Sequence, residues 1–269
     1  MQDAVSLLPN PVPRPGVPIV RAVERAATIV HVFTQDRPNL PLAEIARRAE
    51  LDKGTTRRLL HTLHQIGWVE FCEKTQTYAL GPVLLTLIPA VDFGRELRDV
   101  ATPVLTRLSN ATHATSFLWI LFRGKAMCLE RIRAHDLQLD ITWSHIGHRV
   151  DVHCAGGPRI LMAYMPDSLR REILGQPLQA LTPFSQTDPR ILEEEARQIR
   201  ERGWELAVDD YVVGLSGLGA PVFNRSGEFA ASISISTLKS RLAPRKDGVP
   251  PHLDELLDAA AEIGSKLVS

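Results

Sequence analysis

The chain has 269 residues, 44% of them hydrophobic and 23% charged, which is enough for one large or two ordinary folded domains. Its 31 basic and 31 acidic side chains cancel, which excludes a protein coated in positive charge but allows a local basic patch. No apolar run approaches the roughly 18 residues of a membrane span, and three widely spaced cysteines imply no disulfide framework. We therefore expect no membrane association, and a cytoplasmic location.

The first 18 residues carry five prolines and lack the basic start and apolar core of a signal peptide. We expect residues 1–18 to form a disordered, extended, proline-rich tail.

Residues 19–81 are predicted to hold three helices and a β-hairpin. Apolar residues recur at three- and four-residue steps, which indicates helices from Ile19 to Gln35, Leu42 to Ala49 and Lys53 to Ile66. Asp52 is placed to cap the third helix. After Gly67 the period changes to two, which predicts strands at 68–72 and 77–80 around a turn.

The second and third helices form a candidate DNA-binding element. Two short helices joined by a tight turn are typical of a helix-turn-helix, and the hairpin lies where a wing would follow. No acidic residue occurs from Lys53 through Val69. On these residues alone, an ordinary three-helix core with a surface hairpin stays open. The candidate DNA contacts are Lys53, Gly54, Thr55, Thr56, Arg57, Arg58, His61 and, in the hairpin turn, Lys74.

Residues 82–110 are predicted to be linker helices. The run 82–91 is strongly apolar, and Pro89 should kink or end its helix. A second helix is expected from Phe93 to Asn110, broken near Pro103. An apolar connector must bury its surface, which favours a partner subunit.

Residues 111–269 alternate between strand and helix patterns. Hairpins are predicted around Arg123-Gly124 and around the turn 224–227, which indicates an α+β sheet with helices on one face. The predicted helices cover residues 159–164, 168–174, 189–202 and 253–268.

The strand 232–236 alternates serine with isoleucine, so all three serines share one face. That face is either exposed to solvent or the floor of a polar cavity, and the strand alone leaves both open. The loop 155–157, ahead of the helix expected near Arg159, could offer the backbone N–H groups of Gly156 and Gly157 to a carboxylate.

An enzyme and a metal-binding protein are the alternative classes of function. The run 214–219 resembles the nucleophile elbow of hydrolases, but Leu218 stands where that motif needs glycine, so no catalytic residue is expected. No metal or cofactor is expected either. A zinc site is the weaker alternative, because ligand types cluster at His145, His148, His153 and Cys154.

The run 43–82 resembles the DNA-binding domain of the IclR family of transcriptional regulators. Gly54 replaces the usual serine or threonine, which removes one hydroxyl from the helix start. The family pattern is matched by Glu44, Ile45, Ala46, Leu51, Lys53, Thr55, Arg58, Leu59, Leu60, Thr62, Leu63, Gly67, Trp68, Val69, Tyr78, Leu80 and Gly81.

Two segments of the second half, 153–163 and 200–242, resemble the IclR effector domain. Gly217 stands where the family often has a pocket cysteine, and Pro158 where its loop usually has glycine. The resemblance covers about residues 20–268. It implies that Ser234 and Ser236, together with the loop 155–157, bind a small acid. The candidate effector residues are Gly156, Gly157, Gly217, Ser234 and Ser236, with an apolar wall of Leu129, Ile141 and Leu218.

The expected fold class is therefore α+β. It comprises a winged helix-turn-helix over 19–81, linker helices over 82–110 and a GAF-like effector-binding α/β domain with an antiparallel sheet over 111–269. The expected function is a DNA-binding repressor or activator controlled by a small organic or aromatic acid from a catabolic pathway. Its expected partners are double-stranded operator DNA, that effector and a second copy of the chain, as a homodimer or homotetramer.

Overall fold

The computed structural model describes residues 18–34, 37–91, 94–135, 143–246 and 248–267. Within these ranges the chain forms two compact units, one in residues 18–91 and one in residues 94–267. The predicted tail therefore lies outside the described residues except for Pro18, and so does Ile141, one of the candidate effector residues.

The first unit contains three helices and a two-stranded hairpin. The helices are α1 (Arg21–His31), α2 (Leu42–Arg48) and α3 (Lys53–Gln65), and strands β1 (Val69–Cys72) and β2 (Thr77–Leu80) pair antiparallel. A 3-10 helix follows at Pro82–Ala90. The core of this unit is built from Ile29, Phe33, Leu40, Ile45, Ala49, Leu60, Leu63 and Val69.

The first helix is shorter than the sequence predicted. It ends at His31, and Val23, one of the periodic apolar residues of the predicted helix, is 67% exposed. The buried contacts of this segment come instead from Ile29 and Phe33, near and beyond the C-terminal end of the helix.

The second unit is built on a six-stranded antiparallel sheet. Its strands are β3 (Thr115–Phe122), β4 (Lys125–Ile132), β5 (Arg149–Val150), β6 (Glu205–Val208), β7 (Leu215–Phe223) and β8 (Phe229–Leu238), in the order β5-β4-β3-β8-β7-β6. Its helices are α4 (Arg95–Thr112), α5 (Gly156–Tyr164), α6 (Asp167–Leu174), α7 (Pro189–Arg202) and α8 (Leu253–Lys266), with a short 3-10 turn at Lys239–Arg241.

Helices cover both faces of this sheet, so the predicted single helical face is wrong. Helices α4 and α8 pack on the face that carries Ile233 and Ile235. Helices α5 and α7 pack on the opposite face, over Phe117 and Trp119. Strand β8 alternates in residue type but is buried on both sides, because a sheet with helices on both faces has no solvent-facing surface at its centre.

Two helix boundaries also differ from the prediction. Helix α4 runs without a break through Pro103, whose side chain lies on the exposed face. Helix α5 begins at Gly156, three residues before the expected start. Pro158 is compatible with that early start, because the first turn of a helix has no internal acceptors for its N–H groups. In the described part of the chain, no helix combines the length and apolarity needed to cross a membrane.

Candidate functional site

The turn between α2 and α3 is fixed by backbone hydrogen bonds and one side-chain cap. The N–H of Leu51 donates to the carbonyl of Ala46 at 3.0 Å, and that of Glu50 donates to Arg47, while Glu50 adopts a left-handed φ of 53°. This is a Schellman ending for α2. Asp52 then accepts from the N–H of Thr55 at 2.8 Å, so the predicted cap of α3 is confirmed.

One side of α3 is exposed and basic. Thr55 is half-buried, and the exposed candidates are Lys53, Gly54, Arg57, Arg58, His61 and, in the hairpin turn, Lys74. The basic side chains of α2, unlike those of α3, are paired with an acidic residue of their own helix, because Glu44 binds both Arg47 and Arg48 at 2.7 Å. The hydrogen bond from Arg47 is the main reason that the pKa of Glu44 is lowered to about 2. Glu44 offsets only one of the two arginine charges, so α2 keeps a net charge of +1, whereas Lys53, Arg57 and Arg58 give α3 a net charge of +3. The larger positive charge of this helix pair therefore lies on α3.

Thr56 does not belong to this exposed surface, and its prediction as a DNA contact is wrong. The residue is fully buried, and its hydroxyl donates to the carbonyl of Asp52 at 2.8 Å. Thr56 lies one turn before Leu60 on the face of α3 that packs into the core, so its side chain cannot reach a ligand outside the domain.

The second unit contains a cleft where the first turn of α5 meets β7 and β8. About 320 Å³ of space lies between its walls, a volume that includes open solvent. The cleft brings together four of the predicted effector residues, Gly156, Gly217, Ser234 and Ser236. The other lining residues are Trp143, Ala155, Asp210, Tyr211, Val212, Leu215 and Ser216.

Glycines allow α5 to approach the sheet closely. A Cβ on Gly156 would lie 2.3 Å from the carbonyl oxygen of Gly217, and one on Gly219 would lie 2.5 Å from that of Gly156. A Cβ on Gly157 would meet the Trp119 ring at 2.4 Å, so Gly157 packs behind the cleft wall rather than lining it. The N-terminal amides of α5 can therefore lie beside the strand serines only because these positions lack side chains.

The serine face of β8 is buried, so the solvent-exposed alternative is excluded. Ser234 and Ser236 are each 4% exposed, and Ser232 is fully buried. Ser234 Oγ accepts from Trp119 Nε1 at 3.0 Å, and Ser236 Oγ donates to the carbonyl of Ser216 at 3.1 Å. Ser232 Oγ donates to the carbonyl of Gly157 at 2.7 Å and so holds α5 against the sheet.

An aromatic stack forms another wall of the cleft. The Trp143 ring lies 4.3 Å from Tyr211 and 5.5 Å from Trp119, and Trp119 stacks on Phe117. Trp143 and Tyr211 line the cleft, while Trp119 stands behind Ser234. Burial raises the pKa of the Tyr211 hydroxyl to about 12. The wall therefore combines apolar ring faces with neutral hydrogen-bonding groups.

A buried ionic network lies beside the cleft and was missed by the sequence analysis. Arg159 binds Glu195 at 2.5 Å and Glu205 at 3.0 Å, and lies 3.9 Å from Asp210. Asp210 Oδ2 also accepts from the N–H of Ala155 at 2.9 Å and so holds the start of α5. Burial raises the pKa of Asp210, and the charge of Arg159 opposes that shift. No local sequence signal reveals this network, because its members come from four separate segments.

The predicted apolar wall is corrected by the structure. Leu129 and Leu218 pack into the core on the opposite face of the sheet, with α4 and α8. Successive residues of a strand point to opposite faces, and Leu218 follows Gly217, whose backbone contacts the cleft side. Leu129 also contacts Gly94 at the start of α4 rather than α5. Trp143, Tyr211, Val212 and Leu215 provide the apolar surface in their place.

The alternative zinc ligands do not form a ligand set. Among the described residues, no group of three or more His, Cys, Asp or Glu side chains could hold a metal ion. His145 and His148 stack with ring centroids 5.0 Å apart, and His153 lies 3.1 Å from the carbonyl of Gln179. Burial raises the pKa of the Cys154 thiol to about 12, which disfavours the thiolate that a metal would need.

Comparison with known families matches both units. The family described as the bacterial transcriptional regulator IclR C-terminal domain covers residues 93–265, and the IclR helix-turn-helix domain covers residues 22–71. The chain belongs to the IclR family. It is a DNA-binding transcriptional regulator rather than an enzyme, and the α+β fold with an N-terminal helix-turn-helix is confirmed.

Similar proteins cover almost the whole chain. The Pca regulon regulatory protein of Pseudomonas putida is 29% identical over 253 residues, which are 91% of this chain and 84% of that protein. The crystal structure of an IclR regulator from Alicyclobacillus acidocaldarius has a TM-score of 0.78 at 25% identity, over 93% and 99% of the two chains. An IclR homologue from Microbacterium hydrocarbonoxydans, complexed with 4-hydroxybenzoate, has a TM-score of 0.77 at 24% identity, over 91% and 98%.

Proposed function

We propose that this IclR-family regulator binds its operator through α3 and the β1–β2 hairpin, and that a small organic or aromatic acid bound in the cleft controls this binding. The observation that carries the effector assignment is the meeting of three groups in one cleft. These are the N-terminal turn of α5, the buried serines of β7 and β8, and the aromatic wall. Helix N-termini and hydroxyls bind carboxylates, and ring faces favour an apolar or aromatic body.

The DNA contacts are proposed at the exposed start of α3. Lys53, Arg57 and Arg58 supply positive charge free of acidic neighbours on their own helix, and Gly54 and Thr55 leave room for a close approach to phosphate. His61, one turn later, and Lys74 of the hairpin extend the same set. In this type of motif the first residues of the recognition helix enter the major groove.

The effector class is supported by the chemistry of the relatives. One similar protein regulates the Pca regulon in Pseudomonas putida, and another was crystallised with 4-hydroxybenzoate. The rings of Trp143 and Tyr211 suit an aromatic ligand, and the α5 amides and serines suit its carboxylate. Gly156, Ser234 and Ser236 are the proposed polar contacts.

We further propose a homodimer or homotetramer that acts in the cytoplasm, where the chromosome lies. Both ends of the first unit present apolar side chains to solvent, including Val20 and Val23 at one end and Leu85, Ile88 and Val91 at the other. Buried in a subunit interface, such residues would stabilise an assembly, and a two-fold axis would present two recognition helices to two half-sites.

The DNA assignment is tested by fluorescence anisotropy on an operator duplex, first selected from random DNA and then titrated at two salt concentrations. Arg57→Ala or Arg58→Ala should weaken binding by about 1–3 kcal/mol if the side chain reads a base, or reduce the salt slope if it contacts phosphate. Thr56→Val is the control, because the buried hydroxyl faces Asp52 and its loss should leave the salt slope unchanged. Unaltered binding in both arginine variants would contradict the interface.

The effector assignment is tested on the same duplex. Thermal-shift screening of small carboxylic and aromatic acids should find one that stabilises the protein by mass action. That acid should change operator affinity, and DNA should change the affinity for the acid by the same factor. The Ser234→Ala, Ser236→Ala double variant should keep its fold and operator affinity but lose the response. A full response at the wild-type concentration of acid would exclude the serines from the site.

A further inference from the structure

Helix α3 carries two stripes of side chains on nearly opposite sides. One stripe is buried and faces the core, and it consists of Thr56, Leu60 and Leu63. The other is exposed, and we call it the outer stripe: Gly54, Arg58, His61 and Gln65. Each of its first three residues lies two positions before a buried residue, which is a rotation of about 200° in an α-helix. The outer stripe therefore points away from the core of the unit.

The other two positive charges of α3 lie on its flank. Arg57 follows the buried Thr56 by one residue, a rotation of about 100°, and Lys53 lies on the same side one turn earlier. Both side chains are exposed. Arg57 and Arg58 are neighbours in the chain, but they point in directions about 100° apart, so they contact different parts of a ligand bound to α3.

The two histidines of α3 also differ in what they can bind. His64 Nδ1 lies 2.9 Å from the carbonyl oxygen of Val69 and 3.7 Å from a carboxylate oxygen of Glu70, so His64 is engaged with β1. The side chains of His61 and Gln65 have no hydrogen-bond partner among the described residues. These two members of the outer stripe therefore keep their polar groups for an external ligand.

The outer stripe has the geometry that reading of the major groove requires. When a recognition helix lies in that groove, the side away from its core faces the base edges, and its flanks face the phosphates. Gly54 lies at the end that enters the groove and has no side chain, and the longer side chains follow it along the stripe. Homeodomains read bases with residues at the same three- and four-residue steps along their recognition helix.

We propose that Arg58, His61 and Gln65 read the base sequence of the operator, whereas Lys53 and Arg57 contact phosphate. This inference rests on the proposed role of α3 in DNA binding and assigns the parts of that surface. Arginine pairs with guanine, and glutamine with adenine, through two hydrogen bonds each. Arg58 and Gln65 are seven residues apart, about 10 Å along the helix, so that guanine and adenine should lie about three base pairs apart.

The test is selection of operator sequences from a random duplex pool by the full-length protein and its variants, followed by anisotropy titration at two salt concentrations. Arg58→Ala should remove the preference for guanine at one position of each half-site, a loss of about five- to a hundredfold in discrimination. Arg57→Ala is the matched comparison. It should keep every base preference, weaken binding to all sequences and lower the salt slope by about one for each subunit. Lys53→Ala should behave like Arg57→Ala.

Gln65→Glu tests the far end of the outer stripe by a change of preference rather than a loss. A glutamate accepts a hydrogen bond from the amino group of cytosine, so the preferred base should change from adenine to cytosine at that position. Such a change cannot arise from a damaged fold. His61→Ala should remove a preference at a base pair between those of Arg58 and Gln65.

Failure of the assignment is distinguishable from failure of the interface. If Arg57→Ala loses a base preference while Arg58→Ala changes only the salt slope, α3 binds DNA through another face and the assignment is wrong. Retention of every base preference in Arg58→Ala, in His61→Ala or in Gln65→Glu would contradict the assignment in the same way. If every variant keeps the wild-type affinity, salt slope and preferences, the proposed interface itself is wrong and the inference falls with it.

Discussion

Glycines 156, 217 and 219 carry no chemistry of their own, yet they set how closely α5 approaches the sheet. A Cβ on Gly219 would lie 2.5 Å from the Gly156 carbonyl oxygen and 2.6 Å from its carbon, whereas a Cβ on Gly217 would lie 3.1 Å from the Gly156 nitrogen. Both obstacles are backbone, which cannot rotate away as a flexible side chain can. An alanine at position 219 would therefore displace α5 further than an alanine at position 217.

We predict that Gly219→Ala destabilises the second unit by about 1–3 kcal/mol, as forced insertion into a packed interior does. It should also weaken binding of acids, because the displaced helix carries the N–H of Gly156 away from the serines. Gly217→Ala is the matched control on the same strand and should cost clearly less. Urea unfolding and ligand titration of both variants measure this order, and equal stability of the two variants would contradict the contact.

The serines show why identical residues take different roles. In the sequence, Ser232, Ser234 and Ser236 are equivalent members of one alternating face. In the structure they face three partners, the Gly157 carbonyl, the Trp119 indole and the Ser216 carbonyl. These partners come from α5, β3 and β7, so the role of each serine follows from tertiary packing rather than from its neighbours in the chain.

Among the secondary-structure elements, α4 tolerates a proline that the sequence analysis expected to break it. Its buried face carries Ala101, Val104, Leu105 and Leu108, and Pro103 lies on the exposed side. Packing of the apolar face against β3, β4 and α8 stabilises the helix despite the lost hydrogen bond. Burial of the neighbouring residues therefore outweighs the low helix propensity of proline in α4.

We predict that Pro103→Ala raises the free energy of unfolding by about 1–2 kcal/mol. The alanine restores an N–H for the carbonyl of Asp99 and removes the ring from the helix, and the more flexible unfolded chain offsets part of that gain. Thr106→Ala, on the exposed side one turn later, is the control and should change stability by only a few tenths of a kcal/mol. A Pro103→Ala protein no more stable than the wild type would show that the ring makes compensating contacts.

At the scale of the whole molecule, the segment after the hairpin exposes several apolar side chains to water. In the 3-10 helix Pro82–Ala90, Leu85 is 66% exposed and Ile88 is 56% exposed. Apolar side chains exposed in succession are uncommon on a monomer, and an interface with a second copy would cover them.

We predict a dimer or larger species by light scattering at micromolar concentration. Leu85→Asp and Ile88→Asp should shift the protein toward the monomer, because a buried, unpaired carboxylate is costly in an apolar interface. Ile191→Asp is the control, since Ile191 is 45% exposed on α7 and a carboxylate near the start of a helix is favourable. Wild-type protein that is monomeric throughout would contradict the assembly.

Sequence periodicity and turn residues were enough to predict many of the secondary-structure elements of this protein. The helix-turn-helix, the Asp52 cap, both hairpins of the second unit, α7 and the serine face of β8 follow from signals within a few residues of each other, where local geometry dominates. The family pattern, at residues such as Lys53, Arg58 and Gly67, likewise indicated the function from residues that lie close together in the sequence.

Only the tertiary structure decided which of these residues meet. It removed Thr56 from the exposed surface, turned Leu129 and Leu218 to the far side of the sheet, and added Trp143, Asp210 and Ser216 to the cleft. Each outcome depends on contacts between segments distant in sequence, on helices covering both sheet faces, or on which acceptor a hydroxyl reaches in the folded chain. A pattern along the chain carries no information about those distances, because burial and hydrogen-bond partners are set by the whole packed unit.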